Sequence, residues 1–136
     1  MFRDFRFGLA ISNGFADEPV KAALAAEASG FDVAVVGDHI GPELAPMPTL
    51  AAIASATTSI RLGTNVINAD VRNPVQLAWE AAALDRLSGA RFELGVGAGH
   101  TPQEYTAMGF VQSPPVVRKR RLMETVEVLA ALLAGQ

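Results

Sequence analysis

Short apolar runs begin near Asp32, Ile60 and Arg91, and a helix-like stretch separates each from the next. A spacing of roughly 30 residues is that of one strand–helix–strand unit. Helical crossovers of this length join parallel neighbours with right-handed connections. This periodicity predicts an α/β domain with four parallel strands in chain order and helices flanking them.

The first strand is read from Phe7 to Ser12. Asp17-Glu18-Pro19 opens a helix, because acidic residues and proline suit a first turn, and Val20, Ala23, Leu24, Glu27, Ala28 and Phe31 recur at helical spacing until Gly30 stops it. The second strand, Asp32 to Gly37, is nearly all apolar, as expected of a parallel strand covered on both faces. Pro48-Thr49 starts the next helix, with Leu50, Ile53, Ala54 and Thr57 inward. A third strand is expected from Ile60 to Ile67. Asn73-Pro74 pairs an N-cap with an N1 proline; Leu77, Ala81, Leu84 and Ser88 mark the buried stripe, and Gly89 ends that helix. A fourth strand follows from Arg91 to Gly97, a short helix from Thr101, and a last helix from Val117 to Ala134 with Leu122, Val126, Leu129 and Leu133 on one side. No low-complexity linker interrupts residues 1–136, so one domain is expected.

Composition narrows the function classes. Half of the residues are apolar, 18% are charged and the net charge is −3. That balance offers nucleic acid and anionic membranes no attractive field. The absence of cysteine removes disulfides, thiolate metal sites and thiol nucleophiles. No window approaches the ~18–20 apolar residues of a bilayer span. The N-terminus has no uninterrupted apolar stretch of signal-peptide type. A cytoplasmic location is the expectation.

In a parallel array the C-terminal ends of all strands share one face, and the loops there carry function. Those ends hold Ser12-Asn13-Gly14, Asp38-His39, Asn65 to Asn68, and Gly97-Ala98-Gly99-His100, so both histidines fall on that face. The opposite ends carry Asp32, Arg61 and Arg91, read as solvated. Histidine titrates near neutrality and can give or take a proton. Asp38 either serves His39 or a ligand, or caps backbone amides in a turn; spacing alone leaves both open. The glycines from Gly95 to Gly99 fail the dinucleotide fingerprint, since its third glycine falls on His100. They instead let backbone pass close to a flat ligand or another strand. Thr101-Pro102-Gln103-Glu104 fits a capping box, a role preferred over a catalytic one for Glu104. Arg118-Lys119-Arg120-Arg121 reads as a solvated helix start, and Met47, Trp79 and Met108 as packing residues. Two histidines without a nearby set of carboxylates make a weak case for a metal.

Taken together, these segments resemble the luciferase-like monooxygenase superfamily. The run from Asn73-Pro74-Val75-Gln76-Leu77-Ala78 through Leu84-Asp85-Arg86-Leu87-Ser88-Gly89-Ala90-Arg91 to Gly95-Val96-Gly97-Ala98-Gly99 is similar to that family's third helix and fourth strand, with Ala90 in place of the usual second glycine. Glu27-Ala28, Gly30-Phe31-Asp32 and Asp38-His39 resemble its first helix and second strand, Leu62-Gly63-Thr64-Asn65-Val66 its third strand, and Arg121-Leu122 with Glu124 its fourth helix. The resemblance implies a (β/α)8 barrel that binds FMN or the deazaflavin coenzyme F420, and the Asp-His pair looks most like the F420-dependent oxidoreductases. It implies a catalytic role for His39 near the reactive ring. Cofactor contacts are implied for Asp38, for Asn65 and Val66 across a non-proline cis peptide, and for Gly97, Ala98, Gly99 and His100. Many members carry an aromatic residue at the position of His100.

A complete barrel needs about 250 residues, so the expectation is the N-terminal half of one. A half barrel exposes strand edges and an apolar interior that favour association, and a second copy is the expected partner, beside a small-molecule substrate. The readings carried forward are F420-dependent hydride transfer, FMN-dependent monooxygenation, and a non-catalytic half barrel that self-associates.

Overall fold

A computed structural model describes residues 5–11, 18–41 and 43–135. Strands β1 (Gly8–Ile11), β2 (Val33–Val36) and β3 (Arg61–Thr64) alternate with helices α1 (Pro19–Ala28) and α2 (Pro46–Ala56). A two-residue strand β4 (Ile67–Asn68) and a 3-10 turn (Ala69–Val71) precede α3 (Pro74–Ser88). Strands β5 (Phe92–Glu93) and β6 (Val96–Gly97) lead to α4 (Pro102–Ala107) and α5 (Pro115–Leu133). The sheet is parallel throughout, in the order β1-β2-β3-β5, with β4 and β6 pairing in parallel beside it. The four-strand parallel arrangement with flanking helices is the one predicted. Ser12, Asn13, Gly14 and Asp17 lie outside the described residues.

The register explains the core. Leu9, Ala34, Leu62 and Phe92 stand level across the sheet and, with Ile11 and Val36, face the helices. There they meet Ala23 and Ala26 of α1, Leu50, Ile53 and Ala54 of α2, and Ala81 and Leu84 of α3. A second cluster joins Ile67, Leu77 and Ala78 to Leu129 of α5. Val33 and Val35, on the opposite face of β2, stay half-buried, because no described element covers that side.

Two expected strands are each split. Between β3 and β4, and between β5 and β6, the regular ladder is interrupted, and one side chain joins the Ile67 amide in binding Gly95. The Thr64 hydroxyl donates to the Gly95 carbonyl at 2.8 Å and accepts from the Gly95 amide at 2.8 Å. A Cβ at residue 95 would collide with the Thr64 carbonyl, so the close approach requires glycine. The Asn65–Val66 peptide at this break is cis, as the family resemblance implied.

Helix α3 follows its sequence signals closely. The Asn73 carboxamide accepts from the amides of Val75 at 2.9 Å and Gln76 at 3.2 Å, Pro74 opens the helix, and Gly89 closes it at φ 72°. Ala90, the departure from the family's paired glycines, also takes a positive φ of 62°. Helices α2 and α5 begin two residues earlier than expected, at Pro46 and Pro115. Trp79 is not a packing residue: it is 75% exposed on α3, where Val75 and Leu87 are also exposed.

Nor are the N-terminal strand ends simply solvated. Arg91 donates to the carbonyls of Ala54, Thr57, Ile60 and Ser88 and to the Thr57 hydroxyl, at 2.6–3.1 Å. It thereby satisfies carbonyls left open at the end of α2. From the other side the Glu27 carboxylate accepts the amides of Thr58, Ser59 and Ile60 at 2.6–2.9 Å. Asp32 accepts the Phe7 amide at 2.6 Å, and Arg61 pairs with Glu93. Among the described residues no helix is long and apolar enough to cross a membrane.

Candidate functional site

Three strand-end segments converge at one hollow of about 340 Å³. Asp38 and His39 follow β2, Asn65 and Val66 sit at the break between β3 and β4, and Gly97 to His100 lead from β6 into α4. All eight residues singled out in the sequence line this hollow, and Asn68 and Glu104 join them. A larger hollow of about 570 Å³ lies between α3 and α5 beside Phe92, Leu94 and Leu133. It has no histidine and no carboxylate pair, so size does not locate the chemistry.

Asp38 is held firmly. Its Oδ1 accepts from Arg72 Nη2 at 2.6 Å, and its Oδ2 from Arg72 Nε at 3.2 Å and from the Asn68 amide at 2.9 Å. A two-pronged guanidinium pair of this kind fixes direction as well as distance. It ties the end of β2 to the segment after β4. Arg72 had no signal in the sequence beyond its charge.

His39 is 46% exposed at its side chain, and its Nδ1 lies 2.8 Å from Glu104 Oε1. A carboxylate can only accept, so Nδ1 carries the proton. The Glu104 hydrogen bond raises the imidazole pKa against the opposing effect of burial, with further support from the charges of Glu104, Glu43 and Asp38. The His100 ring stands edge-on to His39, with centroids 5.7 Å apart and planes at 89°.

Glu104 overturns the capping-box reading. Thr101 makes no side-chain cap bond at the start of α4, and the Glu104 carboxylate, 12% exposed, reaches His39 instead of its own helix end. The reason lies in the next residue. Tyr105 is 2% exposed, and its hydroxyl donates to Asp70 Oδ2 at 3.0 Å. That anchor docks the short helix α4 against the 3-10 turn and directs Glu104 at the site. Burial is the main cause pushing the Tyr105 phenol pKa upward.

The basic run is likewise divided. Lys119, Arg120 and Arg121 are exposed and Arg118 is half-buried, but Arg118 and Arg121, three residues apart and so on one helix face, reach partners outside α5. Arg121 Nη1 donates to Asp70 Oδ1 at 2.9 Å and to the Ser113 hydroxyl at 3.1 Å. Arg118 donates to the carbonyls of Ser113 at 2.9 Å, Ala98 at 3.3 Å and Gly99. The glycine-rich loop is thus clamped from α5.

The glycines are required by neighbouring chain. A Cβ at residue 97 would lie 2.5 Å from Val66 Cγ2, and one at residue 99, where φ is 69°, would overlap the Tyr105 hydroxyl and the Asn68 carboxamide. The result is a wall of Val66 and nearly bare backbone, facing His39 and Glu104. A smaller recess of about 300 Å³, walled by Ala10, Ile11, Val35 and Gly37 with Glu43 on its rim, shares His39 and Asn65 with the main hollow. Among the described residues, no group of three or more histidine, aspartate and glutamate side chains is placed to hold a metal ion.

The profile of the luciferase-like monooxygenase family matches residues 4–136. The chain is 37% identical over 110 residues to 4-hydroxyprotoasukamycin monooxygenase of Streptomyces nodosus subsp. asukaensis, an alignment covering 78% of this chain and 29% of that protein. It is 37% identical over 128 residues to the F420-dependent glucose-6-phosphate dehydrogenase of Nocardia farcinica, covering 87% of this chain and 38% of that one. Its fold is similar to that of an F420-dependent secondary alcohol dehydrogenase in complex with an F420-acetone adduct, with a TM-score of 0.77, 25% identity, and coverage of 90% of this chain and 39% of the other. The chain therefore spans well under half the length of these relatives. A parallel sheet whose C-terminal strand ends bring both histidines to one hollow, and a family profile matched over nearly every residue, lead to one conclusion: the chain belongs to the luciferase-like monooxygenase family.

Proposed function

We propose that this chain is the coenzyme-facing part of an oxidoreductase that uses F420, with His39 as its proton-handling residue. The carrying observation is the convergence of His39, bonded to Glu104, with the Val66 and Gly97–Gly99 wall around one hollow. A wall of backbone, one alanine methyl and one valine suits the face of a planar heteroaromatic ring. Asn65, Val66, Gly97, Ala98 and Gly99 would hold that ring; Asp38, engaged by Arg72 and Asn68, braces the loop beside it. F420 supplies hydride exchange when bound. The protein orients the ring, and His39, kept protonated toward neutrality by Glu104, delivers or accepts a proton at the substrate.

FMN is the competing coenzyme, since the family also holds monooxygenases. Titrating the purified chain with each coenzyme, and following its fluorescence, separates the two. Saturable binding of F420, tighter than that of FMN, is expected. Tighter binding of FMN, or binding of neither, contradicts the F420 reading. In the assembled enzyme His39→Ala lowers turnover by about 10²–10⁴-fold, the range for loss of a general acid or base.

We propose also that a second copy of the chain covers the open side of the sheet. The strand order leaves β1 and β5 as edges among the described residues, and unpaired edges of this kind recruit further strands.

A further inference from the structure

The Glu104 carboxylate, 12% exposed, is held in place by an anchored helix. It sits on the six-residue helix α4, which is pinned through the adjacent Tyr105. Tyr105 donates to Asp70, whose carboxylate is 2% exposed, and Arg121 of α5 grips that carboxylate from the other side. One turn earlier on α5, Arg118 holds the carbonyls of Ala98 and Gly99. Helix α5, the 3-10 turn and α4 therefore form one hydrogen-bonded strut that ends at Glu104 Oε1, 2.8 Å from His39 Nδ1.

We propose that Glu104 is a positioning residue for His39: its carboxylate fixes the imidazole by Nδ1, keeps a proton there, and leaves Nε2 as the one ring nitrogen free to exchange a proton with a ligand in the hollow. This deepens the reading of His39 as the proton-handling group and rests on it. A histidine in this setting has its tautomer set by the hydrogen bond at its other nitrogen. The groups facing the ring are Glu104 from α4, Asp38 beside it after β2, Glu43 ahead of α2, and His100 after β6. Of these, Glu104 alone bonds the ring, and the charge of Asp38 is offset by Arg72. Glu104 thus holds the orientation while the other carboxylates only add to the field.

The test is ¹⁵N NMR titration of the imidazoles in the ligand-free chain, with His100→Gln assigning the two histidines. In the unsubstituted chain His39 is expected to titrate above the ordinary imidazole range, and above its midpoint to show the Nδ1–H tautomer. Glu104→Gln keeps an acceptor but loses the charge, so it lowers the midpoint and retains the tautomer. Glu104→Leu lowers the midpoint and also loses the tautomer preference. A purely structural role for Glu104 would leave both readings unmoved in a folded variant and overturn the proposal. If the variants do not fold, the unsubstituted chain still decides: an Nε2–H tautomer or an unraised midpoint for His39 overturns it. No coenzyme is present, so failure here is distinct from failure of the F420 assignment, which the coenzyme titrations report separately.

Discussion

Tyr105 and Arg121 share one carboxylate: Asp70 accepts from the tyrosine hydroxyl at one oxygen and from the guanidinium at the other, at 3.0 and 2.9 Å. Removing one arm leaves a buried acceptor with a lost partner. Tyr105→Phe is expected to cost about 1.5–3 kcal/mol, the usual range for a hydrogen bond to a charged group. Urea denaturation measures it; a loss below about 0.5 kcal/mol would show that the strut contributes little.

Thr64→Val keeps the side-chain shape but deletes the hydroxyl that closes the gap between β3 and β5. The half-buried Gly95 amide loses its partner, while the Gly95 carbonyl still accepts the Ile67 amide at 2.9 Å. A destabilisation of about 1–3 kcal/mol is expected from one unsatisfied backbone amide. Hydrogen exchange at the Gly95 amide is expected to quicken at the same time, and unchanged protection there would contradict this role for Thr64.

Ala90→Gly should stabilise the chain. Ala90 follows Gly89 at φ 62°, a conformation that costs an L-residue about 1–2 kcal/mol, while glycine adopts it freely at a smaller entropic cost. A net gain of about 0.5–1 kcal/mol is expected in the same denaturation assay, and a loss would contradict it.

Stability should fall in strong acid through Glu27. The amides of Ile60 and Ser59, then Thr58 and the Ser59 hydroxyl, lower its pKa from 4.5 to about 2 against the effect of burial. A depressed folded-state pKa contributes stability that is full above the unfolded value and is lost as pH falls through the folded one. The acid limb of the stability curve between pH 4.5 and about 2 should therefore flatten in Glu27→Gln. His39 acts in the opposite sense: its raised pKa contributes stability below the unfolded value that is lost as pH rises through the folded one. An unchanged acid limb in Glu27→Gln would remove the Glu27 contribution.

How legible all this was depends on the range of each interaction. Helix α3 was readable from end to end, because Asn73, Pro74, the Leu77–Ala81–Leu84–Ser88 stripe and Gly89 act within their own helix. The strand breaks were not, since the Thr64 hydroxyl that bridges them bonds a residue about thirty positions away. Glu104 satisfied a local capping pattern, and its partner His39 is remote in the chain. The basic run concealed a bonded pair, Arg118 and Arg121, whose partners lie in the glycine loop and the 3-10 turn. The eight candidate site residues line one hollow because strand direction alone brings them to one face; their roles toward a coenzyme rest on the proposal above.

The most direct measurement is an amide and imidazole NMR map of the chain as F420 is added. The account predicts that the shifted signals are those of Val66, Gly97, Ala98, Gly99 and the His39 ring, with Tyr105 and α5 following weakly through the strut. Perturbations centred on the apolar groove between α3 and α5, or none at saturating coenzyme, would contradict it.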